Sequence, residues 1–167
     1  MHPMAKACID VSYTESSALA ACVVFESWND TVATEEISVA IAPIEPYVPG
    51  EFYRREMPCI LRVLKEIRVP IDTVVVDGYV WLGENRKGLG AHLFEALGGV
   101  VPVIGVAKTE FQGATPVLLP RQPGVRPLYI TSVGMDPHAA ANAIGSMHGT
   151  ARIPTLLKYV DKLSRGK

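Results

Sequence analysis

The chain has 167 residues, enough to enclose the hydrophobic core of one domain, and we expect a single domain over residues 1–167. Apolar residues make up 49% and charged residues 20% of the chain, and its net charge of −1 excludes a general attraction to polyanions. No 18 apolar residues follow one another and no signal peptide opens the chain, which argues against a membrane protein. Three separated cysteines in apolar surroundings are typical of reduced thiols, so we expect a cytoplasmic protein. We also expect it to be a monomer.

The first part of the chain is predicted to form strands and then a helix. Apolar, β-branched stretches predict strands at 6–13, 18–27 and 31–43. Their short connections favour an antiparallel arrangement of the three. Residues 51–68 are predicted as a helix because apolar side chains recur there at helical spacing, and Pro58 is expected in its first turn.

The second part alternates strands and helices. Strands are predicted at 72–77 and 101–107, a hairpin at 115–120 and 126–132, and helices at 89–98, 136–149 and 153–167. Asp136 is expected to cap its helix, with Pro137 at the first position. Antiparallel strands followed by parallel strands and helices predict an α/β fold with one mixed sheet flanked by helices. This is the element order of a ribonuclease-H-like domain.

Three acidic residues are candidates for a metal site. Asp10 lies on the first strand, Asp77 ends the buried strand 72–77, and Glu56 lies at the edge of the buried face of the first helix. In such a sheet the two strands are neighbours, so the three carboxylates would converge and repel one another. Divalent ions would remove this repulsion and support phosphodiester hydrolysis. The alternative is that Asp77, followed by Gly78, is a turn residue.

A basic and an aromatic group accompany these acids. Lys108 follows the strand 101–107 toward the same edge, where it would neutralise charge on a phosphate; alternatively it is a solvated strand-end lysine. Tyr47 stands between two prolines and is suited to wedge into a nucleic-acid duplex, unless it only covers the sheet edge. Further basic residues predict phosphate contacts around the acids: Arg54, Arg55, Arg86 and Lys87.

At this point the sequence resembles the endonuclease V family, nucleases that act at deaminated adenine (inosine) in nucleic acids. The resemblance runs in order through most of the chain and rests on six blocks: DVSY (10–13), PYVPGEFYRRE (46–56), VVDG (75–78), GLGAHL (88–93), IGVAK (104–108) and PLYITSVG (127–134). It implies a ribonuclease-H-like fold and Mg²⁺-dependent cleavage of a phosphodiester bond near the lesion, with Mn²⁺ as a second usable ion.

The resemblance also implies roles for single residues. Asp10, Glu56 and Asp77 would be the metal carboxylates and Lys108 the catalytic lysine. The nucleic-acid contacts would come from the wedge with Tyr47 and Pro49, from Gly50 beside the base pocket, and from Arg55 and Arg86.

The sequence departs from the family pattern in several places. After VVDG, Val80 replaces a glycine and Gly83 replaces a histidine, which predicts an altered base pocket. Met135 replaces a histidine taken to lie beside the metal, so Asp136 or His138 is expected to substitute for it, with Asp136 preferred as a fourth metal ligand. The chain also begins close to Asp10, so the match is expected to cover the catalytic core but not all of the substrate-reading surface.

Three hypotheses follow from the sequence. The first is a metal-dependent endonuclease acting on DNA or RNA with a modified base. The second is a nucleic-acid-binding protein on the same fold that has lost catalysis, which the changes at Val80, Gly83 and Met135 would explain. The third is a small-molecule-binding α/β domain, which leaves the acids, Lys108 and the proline-flanked Tyr47 as coincidences.

Overall fold

The structure is a computed structural model that describes residues 4–167. The strands of this part are β1 (Ala5–Tyr13), β2 (Ala18–Phe25), β3 (Glu35–Ile41), β4 (Ile71–Asp77), β5 (Trp81–Gly83), β6 (Arg86–Lys87), β7 (Val103–Ala107), β8 (Val117–Leu119) and β9 (Leu128–Val133). The helices are α1 (Phe52–Leu64), α2 (Leu89–Ala96), α3 (Pro137–Gly145) and α4 (Thr155–Ser164). Within residues 4–167, no helix is long and apolar enough to cross a lipid bilayer.

Seven strands form one mixed sheet in the order β3-β2-β1-β4-β7-β9-β8. β1, β4 and β7 run parallel to one another, whereas β2, β3, β8 and β9 pair antiparallel with their neighbours. This confirms the predicted α/β fold, in which three antiparallel strands precede the parallel ones. The parallel strands share one carboxyl edge, and side chains that follow them are brought together there.

Helices cover both faces of the sheet. Side chains alternate between the faces along each strand, so Val74 and Val76 pack toward α1 and α2, whereas Val75 packs toward α3 and α4. All three valines are almost fully buried, which is why β4 is an uninterrupted apolar run. The same alternation decides the face to which each polar residue at the strand ends belongs.

Two features of the fold differ from the sequence prediction. Pro58 lies in the middle of α1 and not in its first turn. Its missing N–H leaves the carbonyl of Arg54 without a helical partner, and α1 continues because Cys59, Ile60 and Val63 are buried against the sheet. The short hairpin of β5 and β6 lies within residues 78–88, for which the sequence analysis assigned no strand. Its strands have only three and two residues, too few to produce a periodic pattern.

Candidate metal and nucleic-acid site

Asp10 and Asp77 lie on neighbouring parallel strands at the carboxyl edge of the sheet. Ile9 of β1 pairs with Val76 of β4, so the aspartates that follow these residues stand side by side. Lys108 directly follows β7, which pairs with the other side of β4, and its Nζ is 3.5 Å from Oδ2 of Asp77. Strand pairing therefore brings these three predicted site residues to one edge.

A further carboxylate, which the sequence analysis missed, reaches this edge from α4. The side chain of Asp161 lies beside that of Asp10, because Asp10 points to the same sheet face as Cys8, the face that α4 covers. Burial is the main cause that raises the pKa of Asp10 to about 7, and the contact with Asp161 and the charge of Asp77 raise it further. Carboxylates this close together require a proton or a cation to offset their repulsion.

Glu56 approaches the edge from the opposite face of the sheet. It is only 6% exposed, and the hydroxyl group of Tyr13 donates a hydrogen bond to its Oε2 atom. Burial raises the pKa of Glu56 to about 7; the charge of Asp77 also raises it, whereas the Tyr13 bond and the Arg55 charge lower it. Burial raises the pKa of the Tyr13 hydroxyl as well, so that this group is a donor at neutral pH.

The donor set fits a hard divalent cation, although the side chains do not enclose one. Within residues 4–167 no three or more His, Cys, Asp or Glu side chains form a ready-made metal cluster. Asp10 and Asp161 meet on the α4 face, whereas Glu56 bonds Tyr13 on the α1 face. However, Mg²⁺ keeps several waters and often takes only one or two carboxylates together with substrate phosphates. Burial is the main cause of the raised pKa values of Asp10 and Glu56, and a bound cation would favour the charged form of both carboxylates.

The structure corrects the assignment of Asp136 as a metal ligand. β9 runs antiparallel to β7, and Val133 at its end pairs with Val103, at the start of β7. The residues after Val133 therefore lie at the edge of the sheet opposite Lys108. Asp136 is exposed there and caps α3 by accepting a hydrogen bond from the backbone of Ala139, as predicted for its capping role. His138 and Met135 belong to the same distant end, so Met135 removes no group from the metal edge.

A cavity of about 280 Å³ opens beside Asp77. Its walls combine aromatic and basic side chains with glycine backbone, and its lining includes Gly50, Phe52, Asp77, Tyr79, Arg86 and Phe111. The guanidinium carbon of Arg86 lies 5.6 Å from the centre of the Phe111 ring, and the ring of Tyr79 is 5.9 Å from that of Phe111. An aromatic-lined cavity of this size suits a nucleic-acid base turned out of its stack.

The segment that follows Asp77 packs closely on Gly105, in the middle of β7. A Cβ atom at this position would lie 2.5 Å from the carbonyl oxygen of Gly78, 2.8 Å from Oγ1 of Thr131 and 3.0 Å from the backbone nitrogen of Val80. The hydroxyl group of Thr131 also accepts a hydrogen bond from that nitrogen, at 2.8 Å. The chain after Asp77 thus lies directly on β7, which only a glycine at position 105 permits.

Of the other predicted nucleic-acid residues, Gly50 and Arg86 line the cavity. Tyr47 is 57% exposed, and Pro49 and Gly50 of the same loop are exposed as well. Arg86 is exposed and lines the cavity. Arg55, in contrast, stacks its guanidinium group on the ring of Tyr13, with 3.8 Å between the guanidinium carbon and the ring centre.

Comparison with known proteins assigns this chain to a family. The profile of the family Endonuclease V matches residues 3–153. The chain belongs to the endonuclease V family. Endonuclease V from Streptomyces avermitilis is 31% identical to it over 182 aligned positions, covering 94% of this chain and 77% of the relative. The family assignment and the ribonuclease-H-like fold that the sequence predicted are both confirmed.

Solved structures of the family show the same fold. The crystal structure of endonuclease V from Bacillus subtilis has a TM-score of 0.83 at 23% identity, covering 99% of this chain and 82% of the other. Endonuclease V from Ciona intestinalis, solved in complex with a 24mer DNA containing an inosine followed by a ribo-adenosine, has a TM-score of 0.80 at 18% identity, with 98% and 85% covered. At these identities the likeness concerns the fold.

Proposed function

We propose that this protein is a divalent-metal-dependent endonuclease that hydrolyses a phosphodiester bond near a deaminated base, inosine, in DNA or RNA. The observation that carries the proposal is that Asp10, Asp77 and Lys108 meet at one sheet edge, directly beside the aromatic cavity. A base held in that cavity would place its own backbone phosphates close to the carboxylates. The Ciona intestinalis relative bound to inosine-containing DNA supports the choice of base.

The carboxylates would hold the cation. Asp10, Asp77 and Asp161 offer oxygen ligands from the α4 side, and Glu56 offers one from the α1 side. When bound there, Mg²⁺ or Mn²⁺ would lower the pKa of water and neutralise the phosphate charge. Asp161 takes the place in this scheme that the sequence analysis gave to Asp136.

The remaining side chains would bind and orient the nucleic acid. The ammonium group of Lys108, held near Asp77, would stabilise the negative charge that develops on the phosphate. Tyr47 on its exposed loop would separate the strands, and Phe111 and Tyr79 would pack against the extruded base. Arg86, with Pro49 and Gly50, would contact the nucleic acid at the cavity entrance.

The test is cleavage by the purified protein of inosine-containing DNA and RNA oligonucleotides, with adenosine-containing strands as controls. We expect nicking with Mg²⁺ or Mn²⁺, no nicking with EDTA, and no nicking by Asp77→Ala. Asp136→Ala is the matched control, because this aspartate lies at the other end of the sheet, and it should cleave like the wild type. Absence of cleavage on every strand with either ion would overturn the proposal.

One observation favours a second candidate, a nucleic-acid-binding protein without catalysis. The described residues contain no ready-made metal cluster, and Tyr13 occupies one oxygen of Glu56. Binding in a gel-shift assay that persists with EDTA and in Asp10→Ala, together with no nicking, would identify this alternative.

A further inference from the structure

The side chain of Glu56 is held at one oxygen only. Oε2 accepts the hydrogen bond from the hydroxyl group of Tyr13, whereas no donor within residues 4–167 bonds Oε1. With 6% of the residue exposed, this carboxylate has lost most of its hydration, so a bond from the protein is needed to fix its rotamer. The two oxygens of Glu56 therefore differ: Oε2 is anchored by Tyr13, and Oε1 is available to bind a cation.

The ring of Tyr13 is fixed in turn by Arg55. The guanidinium carbon lies 3.8 Å from the ring centre, and the Nε atom of Arg55 is buried without a hydrogen-bond partner. Stacking on the ring, and not a polar bond from Nε, therefore accounts for the position of this group. Arg55 and Glu56 are consecutive in α1, so the helix presents both the carboxylate and the clamp on the tyrosine that orients it.

We propose that Tyr13 is a positioning residue, whose hydroxyl group anchors Oε2 of Glu56 and leaves Oε1 as the oxygen offered to the cation, with Arg55 clamping the tyrosine ring. The inference rests on the proposed metal-dependent function. Partners that orient a ligating carboxylate commonly change metal affinity by about 10- to 100-fold when they are removed. Arg55 acts here through Tyr13, a role separate from its predicted contact with nucleic acid.

The experiment is a calorimetric titration of Mn²⁺ into the protein without nucleic acid. Tyr13→Phe keeps the ring and removes only the hydroxyl group, and we expect it to raise the Kd for Mn²⁺ about tenfold. In cleavage assays the same variant should need more Mn²⁺ for half-maximal rate and recover its kcat at saturating Mn²⁺. Loss of ring packing alone would not produce this dependence on metal concentration.

Two further variants complete the test. Tyr159→Phe removes another tyrosine hydroxyl that donates to a glutamate, Glu36, and should leave the Kd unchanged. Arg55→Met keeps an unbranched side chain that can pack on the helix but removes the stacking cation. It should raise the Kd in the same direction as Tyr13→Phe, and it carries the test if Tyr13→Phe does not fold.

The outcomes separate the inference from the function it rests on. If the wild type binds Mn²⁺ and neither Tyr13→Phe nor Arg55→Met weakens binding, the positioning role is wrong and the proposed function stands. If the wild type binds no Mn²⁺ without nucleic acid, the inference is overturned, because the protein alone then offers no oxygen of Glu56 to the cation, and the cleavage assay still decides the proposed function.

Discussion

Lys108 and Asp77 form an ion pair across the carboxyl ends of two adjacent parallel strands, with 3.5 Å between Nζ and Oδ2. Both side chains are partly exposed, at 41% and 46%, so the pair adds at most about 1 kcal/mol to stability. We expect Lys108→Met to fold normally and to reduce the single-turnover cleavage rate by about 10²- to 10³-fold, because it removes a cation aimed at the developing phosphate charge.

The matched control for this variant is the lysine–aspartate pair at the other end of the sheet. Lys6 lies 3.3 Å from Asp72, far from the carboxylates. Lys6→Met should leave the cleavage rate unchanged. If Lys108→Met slowed cleavage no more than Lys6→Met does, Lys108 would be a structural residue only.

Substitutions of Asp161 and of Asp136 should have different effects, the first on cleavage and the second on stability. Asp161→Asn removes a charge beside Asp10, and we expect it to lower the cleavage rate and weaken Mn²⁺ binding. Asp136→Ala removes the cap of α3 and should lower the free energy of unfolding by about 0.5–2 kcal/mol without changing cleavage. Urea denaturation and single-turnover kinetics on both variants measure this. The reverse pattern would restore Asp136 to the metal site.

The stability of the metal-free protein should fall as the pH rises from about 4 to about 7. Folding raises the pKa values of Asp10 and Glu56 from 3.8 and 4.5 to about 7, so the folded state binds more protons than the unfolded chain in this interval. The stability that these groups contribute is therefore present below pH 4 and lost as the pH rises through 7. Tm values in EDTA at about pH 5 and about pH 8 measure the fall.

Asp10→Asn should reduce this pH dependence, because an amide carries no charge to be buried. Added Mg²⁺ should raise the Tm of the wild type at about pH 8 by binding only the folded state, and it should do so less in Asp10→Asn. A wild-type Tm that is the same in EDTA at both pH values would show that burial and neighbouring charges do not raise the pKa values of these carboxylates.

Tyr47 should matter for duplexes and not for single strands. Its side chain is 57% exposed on a loop between prolines, so Tyr47→Ala should not change the Tm. As a wedge it would act only where strands must be separated. We expect Tyr47→Ala to slow cleavage of an inosine-containing duplex while leaving the single-stranded substrate nearly unaffected. Equal slowing of both substrates would argue for a role in base binding instead.

The sequence predicted the position of site residues best where they lie in, or directly after, an apolar strand. Asp10, Asp77 and Lys108 were placed correctly because each follows or lies within an apolar strand, and parallel pairing fixes where such residues meet. Asp136 was misplaced because the direction of β9 decides which edge it reaches, and a hairpin in the sequence does not reveal that direction.

Asp161 was missed for a different reason. It lies on α4 beside a buried stripe that includes Leu156, Val160 and Ser164. An acidic residue at the border of such a stripe is a usable signal, but basic neighbours such as Lys158 and Lys162 are typical of a solvated helix face and hide that signal. Only the packing of α4 on the face of β1 that carries Asp10 brings the two carboxylates together.

Gly105 connects the interior of the sheet to the segment that follows Asp77. Because the carbonyl of Gly78 rests where a side chain at position 105 would be, a single methyl group added inside the sheet would lift the segment that follows Asp77. A library that varies residues 105 and 131 together would therefore change the shape of the cavity lined by Gly78 and Tyr79 without substituting Lys108 or any carboxylate.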